Sequence, residues 1–129
     1  MFEKKITPPQ LNILGDTLQT CSLNPLTGYF RDGCCNTEIA DFGSHTVCAE
    51  MTEEFLFFSK QSGNDLTTPH PEFGFDGLKP GDRWCLCASR WLEAANVGKA
   101  PSIIASCTNE AAINIVPKEL LLKYAIKLN

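Results

Sequence analysis

The stretch from Gly77 to Gly98, GLKPGDRWCLCASRWLEAANVG, constrains the fold more than any other part of the chain. Pro80 presets φ for the second position of a turn and Gly81 accepts the positive φ of the third, so Lys79-Pro80-Gly81-Asp82 reads as a type II turn. A strand follows. Alternation places Arg83, Cys85 and Cys87 on one face and Trp84, Leu86 and Ala88 on the other. Ala88, Trp91, Leu92 and Ala95 then keep the i, i+3, i+4, i+7 spacing of one helical face. Arg90, Glu93 and Asn96 lie toward water, and Gly98 stops the helix.

A second strand is expected over Gly43–Glu50. It leads into a helix whose start is marked by Thr52 as N-cap, by Glu53 and Glu54 in the first turn, and by Met51 placed to staple onto Leu56; Gly63 ends it. Further on, Ser102 to Cys107 reads as a buried strand, with Thr108 as N-cap of a short helix. Pro117 suits a first helical position, and Pro117, Leu120, Leu121, Tyr124 and Leu128 form one apolar stripe. Short strands interleaved with helices predict an α+β fold, a two-layer sandwich of a small sheet with helices on one side; a small parallel α/β sheet is the second choice. A chain of 129 residues makes a single domain, 1–129, in which residues 1–10, with Pro8-Pro9, read as a tail or edge.

Composition narrows the functional classes. Apolar runs such as Phe55 to Phe58 are too short to span a bilayer, and Met1 to Gln10 carries no signal-length apolar run, so the sequence predicts a cytoplasmic protein with no membrane partner. The net charge is -4, and from Asp32 to Ser59 there are six carboxylates with no Lys or Arg, which sets nucleic acid aside. Seven cysteines, an odd number, in a reducing compartment predict free thiols rather than a disulfide framework. Oligomeric state is not specified.

Two irregular segments draw attention. One runs from Thr20 to Cys35 and is dense in turn formers; the other, Asn64 to Lys79, has lost all period yet carries His70, Phe73 and Phe75. Long structureless connections in a small domain are often binding loops. Thiol chemistry is one reading, since Cys48, Cys87 and Cys107 each fall at a predicted strand-to-helix junction, where thiolate is favoured. His45 and Cys48 face apart on their strand, so the candidate catalytic set is Cys34, Cys35, His45 and Asp32. Asn36, His70, Phe73, Phe75 and Arg83 are candidate ligand-binding residues around the same cleft, and the partner expected there is a small molecule. Buried packing is the plainer account of each thiol and aromatic, and Cys85 and Cys87 are read as serving folding. A non-catalytic binding module is a second reading. Zinc binding is a third, weakened because no C-x2-C pair is present; no metal ligands and no cofactor are assigned.

Three segments, CSLNPLTGYFRDGCCNT, HTVCAEMTEEFLFFSKQSGNDLTTP and PEFGFDGLKPGDRWCLCASRW, together resemble an uncharacterised family, domain of unknown function 2237. The resemblance covers most of the chain and implies a small single-domain intracellular α+β protein. It brings no activity and no catalytic residue.

Overall fold

The computed structural model describes residues 9–126. Its centre is an antiparallel ribbon of two strands, β1 (His45–Glu50) and β2 (Arg83–Cys87), in which Val47 lies opposite Leu86, Cys48 opposite Cys85, Ala49 opposite Trp84 and Glu50 opposite Arg83. The register is irregular between His45 and Val47, a bulge that re-aims His45. The sheet is antiparallel, so the parallel alternative fails.

Each face of the ribbon meets a different core, as alternation requires. Val47, Ala49, Trp84 and Leu86 belong to the larger one, together with Phe55 and Leu56 of helix α1 (Glu53–Gln61), Ala88, Trp91 and Ala94 of α2 (Ala88–Ala95), and Leu121 of α3 (Lys118–Lys123). All three helices bury their apolar residues on this side, giving the two-layer α+β arrangement. Cys48 and Cys85 point to the other side, into a small core with Cys21, Cys35, Ile104 and Cys107. Trp91 anchors the large core: its Nε1 donates to the Pro101 carbonyl at 3.0 Å and its ring meets Tyr124 edge-on at 5.1 Å.

The helix signals act locally as the sequence implies. Thr52 accepts from the Phe55 N–H at 3.0 Å, and Asp82 N–H closes the Lys79–Asp82 turn onto Lys79 O at 3.1 Å with Gly81 at φ 95°. Ser102 to Cys107 departs from expectation. Only Ile103 pairs, bridging to Ala49 and Ala125, and a 3-10 turn begins at Ala105. The cap also moves by one residue: Asn109 accepts from Ala111 N–H, while Thr108 Oγ1 donates to Ile104 O and accepts from Cys48 N–H. Thr108 serves the buried outer edge of β1 instead of a helix. Leu128 and residues 1–8 lie outside the described residues.

Four of the seven thiols are not free. Cys21 is bonded to Cys48 and Cys35 to Cys85, across sequence separations of 27 and 50 residues. Spacing along the chain carries no trace of these pairs, because the loop around Cys21 and Cys35 meets the ribbon only once the fold has formed. Among the described residues, no helix is long and apolar enough to cross a membrane.

Candidate functional site

A cavity of about 460 Å³ opens beside the outer edge of β2. Its walls come from three places: Gly28, Tyr29 and Arg31 on the first irregular segment, His45 at the start of β1, and Leu66, His70, Phe73 and Phe75 on the second. Trp84 and Cys85 of β2 close it.

The first wall is shaped by its backbone. Cys21 N–H and Ser22 N–H both donate to Gly33 O, and Gly33 N–H returns to Thr27 O, so the segment folds on itself. Thr27 Oγ1 accepts from Cys85 N–H at 2.9 Å, satisfying the edge of β2 from the loop. Gly28 is required: at φ 104°, a Cβ there would run into the Cys34 carbonyl. Arg31 adopts a left-handed φ of 55°, unusual for a residue with a side chain. That conformation lays its guanidinium 5.1 Å from the centre of the Trp84 ring and lets Nη1 donate to Gly28 O at 3.0 Å.

His45 is oriented by Asp41. The histidine Nδ1 lies 2.7 Å from Asp41 Oδ1, while Oδ2 accepts from the His45 N–H and from Thr37 Oγ1, each at 2.9 Å. The Asp41 side chain is fully buried, whereas that of His45 is 42% exposed. Burial opposes ionisation of Asp41, but the hydrogen bonds from the His45 ring, the His45 N–H and Thr37 outweigh it and hold the carboxyl below its usual value. An ionised carboxylate only accepts, so Nδ1 carries the proton, and Nε2 has no hydrogen bond to any described residue. Gly43 leaves the ring room, because a Cβ there would stand 2.7 Å from His45 Cε1. Tyr29 stacks on the ring at 6.5 Å.

The second wall is a small hairpin. His70 N–H donates to Phe75 O at 2.7 Å and Phe75 N–H returns to His70 O at 3.2 Å, with Gly74 at φ 68° in the bend. This presents His70 stacked on Phe75, and Phe75 tilted against Trp84 at 5.4 Å. Asp65 ties the approach to the hairpin by accepting from the hydroxyl and N–H of both Thr67 and Thr68. These bonds, that of the Thr68 hydroxyl first, lower its pKa. Gly77 is fixed from the other end, since a Cβ there would strike the Thr67 carbonyl.

Of the candidate catalytic and ligand-binding residues, His45, His70, Phe73 and Phe75 meet at this cavity and the others do not. Cys35 is wholly buried and bonded to Cys85, so it offers no thiolate nucleophile. Cys34 points elsewhere, its sulfur 3.7 Å from Thr20 Oγ1. Asp32 braces the loop by accepting from Cys34 N–H and Asn36 Nδ2, both at 3.0 Å, and so engages Asn36 as well. Arg83 faces Glu50 across the ribbon, Nε to Oε1 at 3.8 Å. Cys87 stands at the start of α2, 3.4 Å from Ser89 Oγ. Sequence reading missed Arg31, Asp41, Tyr29 and Trp84. Only the Asp41–His45 spacing hinted at a pair, and outside a helix that spacing has no geometric meaning.

The fold and site define a small α+β domain with an aromatic, histidine-lined cavity. The chain belongs to a family described as an uncharacterized protein conserved in bacteria (DUF2237), whose model matches residues 11–125. No curated protein matches it.

Proposed function

We propose that this cavity binds a small planar molecule carrying an anionic group, and that His45, held by Asp41, exchanges a proton with it. The observation that carries the reading is the Asp41–His45 pair at 2.7 Å, with His45 in the wall of a cavity of about 460 Å³, within the range of ligand sites. A buried carboxylate that fixes the tautomer of an accessible imidazole is the arrangement used by general bases. Phe75, Trp84 and Tyr29 supply flat apolar surface, and Arg31 supplies a cation already oriented by Trp84. The lining holds no carboxylate; Glu72 stands at the rim, 3.4 Å from His70 Nδ1. An anion is therefore the favoured charge.

The bonding of Cys35 removes it as a nucleophile, so support for acid–base work outweighs support for covalent thiol catalysis. A purely binding role differs only in leaving the His45 proton unused.

Benzoate and phenyl phosphate, with cyclohexanecarboxylate as a non-planar control, test the reading through the fluorescence of Trp84. Saturable quenching by the planar anions is expected. Arg31→Ala should weaken it by roughly 10- to 100-fold, the value of a charge-assisted hydrogen bond of about 1.5–3 kcal/mol. Equal affinity in Arg31→Ala, or equal quenching by the non-planar acid, contradicts it.

A further inference from the structure

We propose that Cys21, Cys35, Cys48 and Cys85, once reduced, form a four-thiolate site for a single zinc ion, so that the small core is a redox-released metal centre. The inference rests on the sulfur core, which adjoins the cavity at Cys85. The sulfurs of Cys21, Cys35 and Cys85 lie within 4.8 Å of one another, and Cys48, just outside that group, is bonded to Cys21 and so brings a fourth sulfur to its edge. Two come from the loop and two from opposed positions of the ribbon. Cys48 and Cys85 are register partners whose N–H groups both point outward, to Thr108 and Thr27, which marks them as a closely spaced non-hydrogen-bonded pair. Loop cysteines above and strand cysteines below approach the centre from opposite sides, as tetrahedral coordination demands.

Distances agree with this. Zinc–sulfur bonds of about 2.3 Å in a tetrahedron put the sulfurs about 3.8 Å apart. The sulfurs of Cys21, Cys35 and Cys85 start within 4.8 Å of one another, and the site requires each disulfide to open and Cys48 to turn its sulfur inward to join them. All four residues are at most 5% exposed, so a bound ion would be closed off from water, the habit of structural zinc. Cys107 packs in the same core but is committed elsewhere: its Sγ donates to Thr20 O at 3.1 Å, and burial pushes its pKa up. It is not one of the four ligands.

The chemistry balances with a phosphine as reductant. Each disulfide takes two electrons and two protons to become two thiols, while the phosphine gains the oxygen of one water. Four thiols then lose four protons to hold one zinc ion. Two equivalents of hydrogen peroxide reverse this, forming two disulfides, releasing the ion and giving four waters.

Cobalt(II) is the spectroscopic probe, added to the full chain after phosphine reduction. One equivalent should bind, with thiolate-to-cobalt charge transfer and the visible bands of a tetrahedral four-sulfur site; zinc should displace it one for one. Cys107→Ser, Cys34→Ser and Cys87→Ser should keep the spectrum, and serine at any of the four proposed ligands should abolish its four-sulfur form. Peroxide should release zinc together with the loss of four thiols. A reduced, folded wild-type chain that takes up no cobalt overturns the proposal. So does loss of the spectrum in Cys107→Ser, or unfolding of the wild type on reduction in the presence of zinc.

Discussion

Arg31 and Asp41 do the most for the site, and each does so against a local cost. Arg31 holds a left-handed backbone that costs a residue with a side chain about 1–2 kcal/mol, in order to set its guanidinium over Trp84. Asp41 gives up its water to hold His45, and its hydrogen bonds keep its carboxyl below the ordinary value of 3.8. A depressed folded-state pKa means the carboxylate contributes stability above the unfolded value and loses that contribution as pH falls through the folded one. The stability gap between wild type and Asp41→Asn should therefore be widest above about pH 5 and narrow steadily in more acidic solution. Denaturant melts at a series of pH values measure it; a gap that does not change with acidity would mean that Asp41 is not ionised in the folded protein.

At the scale of elements, the cavity depends on a hairpin pinned at both ends by backbone contacts. Gly77 and Gly63 separate the two ways in which a glycine matters. Both have positive φ, 85° and 96°, but a Cβ at Gly77 would strike the Thr67 carbonyl while one at Gly63 would meet nothing. Gly63→Ala should cost about 1 kcal/mol, the conformational term alone. Gly77→Ala should cost well beyond that and should also weaken benzoate binding. Equal losses of stability in the two variants would show that the hairpin is not held where the structure places it. Elements built on local signals were legible: the Thr52 cap, the Pro80-Gly81 turn, and the alternation from Arg83 to Cys87. The segment after Pro101 was not, because Ile103 and Ile104 are buried by bridging between β1 and Ala125 rather than by strand pairing of their own. Propensity reports burial there and not the ladder.

For the whole molecule, the ribbon divides an apolar core packed by helices from a sulfur-rich core capped by loops, and the cavity lies beside the outer edge of β2. His45, His70, Phe73 and Phe75 could be picked out because histidines and aromatics stand out in irregular segments. Arg31 and Trp84 could not, since their partnership exists only across the fold. The thiols misled for the same reason, as Cys34 and Cys35 are adjacent in sequence but turn to different surroundings. The central claim, that His45 meets a planar anion at Nε2, is tested most directly by nitrogen NMR of the histidine side chains during titration with benzoate, with His45→Gln assigning the signals. The account predicts a saturable shift of His45 Nε2 larger than that of its Asp41-bound Nδ1, and absent in Arg31→Ala at the same benzoate concentration. Benzoate that perturbs neither His45 nitrogen, or perturbs Nδ1 alone, would contradict it.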